Sequence, residues 1–293
     1  MWGKINNFVY GSYRQAILSM SVVTVVWLLW LSLMHLLSEA LGIGRITDTG
    51  YVGTLSFRMA AQFVQTLLVL LLMWKLNVFN LSDFTFKGTL RGFLLAWVSV
   101  VTSIGQMAMN FMAVGSFVAP DPLHFIVSFL QPFIGTGLIE EVLFRGLVFF
   151  VLMKAAEQSK RGIMSAVIVS SIIFGLAHFP NLFTGANIIF VGIQIISATN
   201  IGLFFAVMYL RTKTLWIPII LHGLFNLAGR IHRPLVYVSS YVGDYIEYMP
   251  QEGASSVAIL IGNMPFFLTG IAHLVAGLVL FKKVQFEGFT NRV

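Results

Sequence analysis

The chain has 293 residues, 58% of them apolar or aromatic and only 10% charged, with a mean hydropathy of +0.88. Soluble domains carry about 25% charged residues, and one of this length buries only about 75% of the surface its unfolded chain exposes. This composition therefore excludes a water-soluble globule, a disordered chain and a water-soluble nucleic-acid binder. There is no cysteine, hence no disulfide, thiolate metal site or cysteine nucleophile. The net charge of +7 reads as the surplus that membrane proteins place in cytoplasmic loops, and no nucleic-acid partner is expected.

About twenty mostly apolar residues cross a bilayer. Eight stretches qualify: 17–37, 58–77, 92–114, 122–153, 162–179, 187–210, 214–229 and 257–281. The first is too long and too polar-flanked for a cleavable signal peptide and is read as a retained span. The seventh is short and holds two polar residues. The prediction is an all-α polytopic protein forming a single membrane domain over 1–293, with the lipid bilayer as its surroundings. With the N-terminus inside, the inner loops hold Lys4, Arg14, Lys75, Lys87, Arg91, Lys154, Lys160, Arg161, Arg211, Lys213, Lys282, Lys283 and Arg292. The outer loops hold Arg45, Arg58, Arg230 and Arg233. This asymmetry predicts cytoplasmic N- and C-termini and a multi-pass place in the cell membrane. Residues 230–256, with Asp244, Glu247 and Glu252, read as an extracytoplasmic loop. No internal repeat or low-complexity tract is visible, and the ending Thr-Asn-Arg-Val carries no lipidation signal.

Ionisable groups inside spans are expensive and so mark candidate sites. The fourth span carries Glu140, Glu141 and Arg145, the fifth ends at Phe174-Gly-Leu-Ala-His178, and the seventh carries His222 and Asn226. Glu141 and Arg145 are four apart, so they share a helical face and can pair. Glu140 lies about 100° round the helix from Glu141, which gives the two carboxylates different tasks: Glu141 held by Arg145, Glu140 turned to a cavity. His222 and Asn226 also share a face. A turn near Ser159 puts Glu140 and His178 at equal distances along a helical hairpin, roughly 20 Å above the cytoplasmic interface. His222 and Asn226 fall at about 11 and about 17 Å on the same measure. These heights match only approximately, and they are compatible with one site built from Glu140, His178, His222 and Asn226.

These groups suit hydrolysis. A carboxylate is a general base for water, a histidine beside it can hold or polarise that water, and a His–Asn pair can donate to an oxyanion. Glutamate with two histidines is also a catalytic zinc set, so Glu140, His178 and His222 would be the ligands of a metal if one is used. The spacing alone does not choose between these two chemistries. Structural uses compete as well: a helix-locking ion pair for Glu141–Arg145, an interfacial histidine at His178, and interhelical hydrogen bonds for His222 with Asn226. His35, His124, His232 and His273 have no organised neighbours and read as structural. Gln194, Ser197, Thr199 and Asn200 read as packing polar groups on the sixth span, with substrate contact by one of them as the alternative, and Gly192, Gly202, Gly223 and Gly229 as close-packing points.

The three motifs Glu140-Glu141-x-x-x-Arg145, Phe174-x-x-x-His178 and His222-x-x-x-Asn226 occur in this order on separate predicted spans. Together they resemble the CPBP (Abi) family of intramembrane proteases, relatives of the type II CAAX prenyl endopeptidase. The run Thr214-Leu-Trp-Ile-Pro-Ile-Ile-Leu-His222 is similar to the context of the family's third motif. The resemblance covers about 120–230, which would be the protease core, with accessory helices in 1–115 and 257–281. It implies an eight-helix fold and hydrolysis of a peptide bond in a membrane-associated peptide or protein. It implies Glu140 as the activator of water, His178 as its assistant, and His222 with Asn226 as the oxyanion site. Glu141, Arg145 and Phe174 would be supporting residues. The family is often labelled metalloprotease; a glutamate mechanism without cofactor is favoured here, and zinc stays open. Its bacterial members are linked to bacteriocin immunity, so a non-catalytic immunity or partner-binding protein is the second reading. A proton-coupled transporter is the third, disfavoured by the lack of paired broken helices or repeat symmetry in the sequence.

Overall fold

A computed structural model describes residues 2–41, 50–112, 122–156, 159–231 and 255–284. Among these, all regular structure is helical. His232 and most of the 230–256 loop, with its three acids, lie outside the described residues, as do Arg45 and the C-terminal Thr-Asn-Arg-Val.

Five helices are long and apolar enough to cross a membrane: Tyr13–Leu37, Leu55–Lys75, Lys160–Phe183, Ile188–Thr212 and Met264–Phe281. A sixth is counted if Thr89–Leu95 and Trp97–Met112, bent by 70°, form one broken span. The chain is thus a multi-pass membrane protein. These six correspond to the first, second, fifth, sixth, eighth and third predicted stretches. The break in the third is a feature that apolar content does not reveal. The seventh stretch is the helix Trp216–Gly229, whose 14 residues reach only about 21 Å. The fourth is divided into short pieces by two π-helical segments.

The chain forms two compact units. The first comprises Met1–Val25, Val148–Arg211 and Val242–Val293. It contains α1 (Trp2–Val9), the start of α2 (Tyr13–Ala40), α8 (Phe149–Ala155), α9 (Lys160–Leu176), α10 (Ile188–Thr212), α12 (Ser256–Gly262) and α13 (Met264–Phe281). α8 and α9 pack as a hairpin. The Ser159 hydroxyl caps α9 by accepting from the Gly162 N–H at 3.1 Å, which supplies one of the donors that a helix start leaves unpaired. Phe149, Phe150 and Tyr209 form an edge-to-face aromatic cluster. α13 lies close on α10, where a Cβ added at Gly270 would come 2.8 Å from Ser197 Cα. Small residues permit this approach in place of a hydrophobic drive between lipid-bathed helices. His273, fully buried, lies edge-on to Phe204 at 5.0 Å and donates from Nδ1 to the Thr269 carbonyl. Gln194 accepts from Asn181 at 2.8 Å, and Thr199 bonds back to the Ile195 carbonyl at 2.8 Å.

The second unit comprises Val26–Leu147 and Thr212–Tyr241. It holds α3 (Gly50–Lys75), α4 (Thr89–Leu95), α5 (Trp97–Met112), α6 (Pro122–Leu130), a π segment (Gln131–Gly137), α7 (Leu138–Glu141), a second π segment (Val142–Val148) and α11 (Trp216–Gly229). In the first π segment Pro132 has no N–H to give to the carbonyl four residues before it; at the end of the segment the Leu138 N–H reaches back five residues to the Phe133 carbonyl and three to that of Gly135. α3 packs along these segments. A Cβ at Gly135 would meet Gln62 Oε1 at 2.5 Å, and one at Gly146 would meet Met73 Cε at 3.0 Å. Both pairs are offset by 73 residues, so α3 and the fourth stretch run parallel and in step, the sense that their places in the predicted order require.

α11 is fixed at its start by the loop before α4. The Leu215 N–H donates to the Asp83 carbonyl at 2.7 Å, Thr214 Oγ1 to the Thr85 carbonyl at 2.6 Å, and Trp216 Nε1 to the Phe84 carbonyl at 2.7 Å. The Trp216 ring stacks on Phe86 at 5.0 Å. Further along, α11 crosses the first π segment at glycines: a Cβ at Gly137 would lie 3.1 Å from the Ile219 carbonyl oxygen, and one at Gly223 would lie 2.9 Å from Phe133 Cα. This close crossing sets His222 against α7.

Candidate active site

The second unit brings four of the expected residues together. Glu141 is fully buried and Arg145 nearly so. Arg145 Nη1 donates to Glu141 Oε1 at 2.8 Å, the pair that four-residue spacing anticipates. The same oxygen receives His222 Nδ1 from α11, at 2.7 Å. A carboxylate paired with a guanidinium can only accept, so Nδ1 carries a proton. The other ring nitrogen, Nε2, then faces Glu140 Oε2 at 3.7 Å. Glu140 is the more open carboxylate, its side chain 15% exposed against none for Glu141.

The arrangement is a relay: Arg145 to Glu141, Glu141 to His222, His222 to Glu140. A buried carboxylate that orients one face of an imidazole fixes which nitrogen meets the reacting groups. Glu141 Oε2 has no hydrogen-bond partner among the described residues. Asn226 sits one turn after His222 on α11 and is partly buried. Phe144, on the second π segment, packs edge-on against Trp27 at 5.7 Å.

His178 belongs to the first unit, just past the end of α9. Its ring stands edge-on to Phe174 at 5.4 Å, and Nδ1 bonds the Phe174 carbonyl at 3.2 Å. The motif Phe174-x-x-x-His178 is thus one local unit that sets the ring. Among the described residues no group of three or more His, Asp or Glu side chains has the geometry to hold a metal ion.

Sequence reasoning missed the bond between Glu141 and His222, which are 81 residues apart. It also passed over uncharged polar residues next to the site. Thr136 Oγ1 accepts from Gln131 Nε2 at 3.0 Å and from Gln62 Nε2 at 3.5 Å, and Gln65 is buried. Glutamines three apart inside a predicted span, as Gln62 and Gln65 are, were the available signal.

Residues 122–228 match the family described as "Type II CAAX prenyl endopeptidase Rce1-like". That segment contains all three motifs, and it supports the resemblance to CPBP proteases. The chain is also 30% identical over 126 residues to the protein named "Putative membrane peptidase YdiL" of Bacillus subtilis (strain 168). The match covers 43% of this chain and 43% of that relative, so the chain spans less than half of the relative it matches. No solved structure matches significantly.

Proposed function

We propose that this chain, which carries the Rce1-like CAAX endopeptidase segment at 122–228, is a peptidase working within the bacterial cytoplasmic membrane on a membrane-associated peptide or protein. In this reading all eight predicted stretches cross or enter the membrane and both termini are cytoplasmic.

Glu140 acts as general base. It takes a proton from water, whose oxygen attacks the scissile carbonyl carbon. The C–N bond then breaks, and the proton passes to the leaving nitrogen. His222, with Nδ1–H given to Glu141, turns Nε2 toward the reacting carbonyl; in the protonated ring this nitrogen donates to the oxyanion. Asn226, on the same face of α11, supplies a second donor. His178 keeps the role that the family resemblance implies, as assistant to the water. Arg145 and Glu141 position His222, and Phe174 positions His178. No cofactor is needed for this sequence of steps.

The observation that carries the reading is the relay from Arg145 through Glu141 and His222 to Glu140. A helix-locking pair would need only Arg145 and Glu141. The extra histidine, held at one nitrogen and presented to a more open carboxylate at the other, supports a catalytic use of these groups. The test is incubation of the purified protein, in detergent and in liposomes, with a library of membrane-associated peptides, products being mapped by mass spectrometry. Cleavage at defined peptide bonds is expected; an intact library would refute the reading.

A further inference from the structure

We infer that the polar seam of Gln62, Gln65, Gln131 and Thr136 is the docking surface for the extended backbone of the substrate on one side of the scissile bond. The inference rests on the peptidase reading and assigns that site its backbone-binding part.

A peptide bond inside a helix is shielded, so a substrate must unwind to be cut. Its freed N–H and C=O groups then sit in a low-dielectric site, where each unsatisfied group is costly. Proteins commonly meet an extended peptide with a sheet edge. Among the described residues this chain has no strand. A glutamine side-chain amide is the uncharged alternative, since it offers both a donor and an acceptor.

The seam lies where such a surface is needed. Gln62 and Gln65 are three apart on α3, whose packing partners are α6, the first π segment and α7. The parallel register of α3 places Gln65 level with Leu138 and Gln62 level with Gly135, just before Glu140 and Glu141. Gln131 and Thr136 belong to the π segment that leads directly into α7. The hydrogen bonding within the seam is incomplete. Thr136 Oγ1 takes both Gln131 Nε2 and Gln62 Nε2. Gln62 Oε1 and both polar atoms of Gln65 have no hydrogen-bond partner among the described residues, although Gln65 is only 4% exposed. A buried amide with no partner destabilises the fold. Its presence on α3, level with the residues just before Glu140, is explained if the partner arrives with the substrate.

The test pairs side-chain and backbone deletions. Gln65→Met and Gln62→Met keep size and remove the amide. Each is combined with substrates in which single peptide bonds flanking the cleaved bond are replaced by esters, which removes one N–H at a time. Wild-type protein should lose on the order of tenfold in kcat/KM for one ester position, mainly through KM. In Gln65→Met the all-amide substrate should show that loss already, and the ester should add little to it. The melting temperature of Gln65→Met should hold or rise, because an unsatisfied buried amide is removed. A lowered melting temperature with fully additive losses would show the seam to be structural and overturn the inference, while cleavage by the wild type keeps the peptidase reading intact. If the wild type cleaves no peptide at all, the peptidase reading falls and the seam's role falls with it.

Discussion

His222 Nδ1 lies 2.7 Å from Glu141 Oε1, a bond that joins two helices across 81 residues of sequence and decides which imidazole nitrogen faces Glu140. Replacing Glu141 by Gln keeps its shape but allows the amide to present either a donor or an acceptor. The orientation of His222 is then no longer enforced. A hydrogen bond to a charged group contributes about 1.5–3 kcal/mol, which corresponds to about 10–100-fold in rate. Glu141→Gln is expected to lower kcat by that range in a peptide-cleavage assay, with KM little changed. Wild-type kcat would show that Glu141 serves only the ion pair.

Arg145 and Glu141 are both within the protein interior, with side-chain exposures of 2% and 0%. Removing one member leaves the other as an uncompensated buried charge, which costs about 3–5 kcal/mol. Arg145→Leu should therefore lower thermal stability in detergent strongly. The double variant Arg145→Leu/Glu141→Leu should be less destabilised than the sum of the single ones. Unfolding midpoints of the three variants provide the check, and strict additivity would count against the pair.

How much of this was legible in the sequence depends on distance along the chain. The Glu141–Arg145 pair follows from helical periodicity, because both residues ride on one turn. The Glu141–His222 bond does not, because it depends on how closely α11 can cross the π segment. That closeness is written in Gly137 and Gly223; Gly223 was legible as a close-packing point, but the segment it packs against was not. The broken character of the fourth stretch was hidden for a similar reason. Apolar content scores 122–153 as one span, while the two π segments, with bonds such as Leu138 to Phe133, lie outside periodicity arguments based on 3.6 residues. The seam of Gln62, Gln65 and Gln131 escaped because attention to cost inside the membrane fell on charge, and uncharged amides are polar enough to matter without standing out.

Gly223 tests the crossing itself. A Cβ there would lie 2.9 Å from Phe133 Cα and still closer to its ring, so α11 must shift. Gly223→Ala should destabilise by about 1–3 kcal/mol and reduce cleavage by moving the adjacent His222. Unfolding midpoint and kcat/KM should fall together. An unchanged midpoint would mean that the crossing is looser than the geometry indicates.

The proposed chemistry runs on Glu140 and water, so a strong chelator should leave cleavage unaffected after prolonged dialysis. Loss of activity that zinc restores would make Glu140, His178 and His222 metal ligands and replace the general-base role.

The most direct test of the account is the rate of Glu140→Gln. The substitution replaces a single carboxylate oxygen by an amide nitrogen on a side chain that is 15% exposed, so the unfolding midpoint should stay within a few degrees of the wild type. Cleavage of a membrane-associated peptide by the purified variant should fall to background, while the wild-type protein cuts it at a defined bond. Wild-type cleavage by folded Glu140→Gln protein would contradict the central claim.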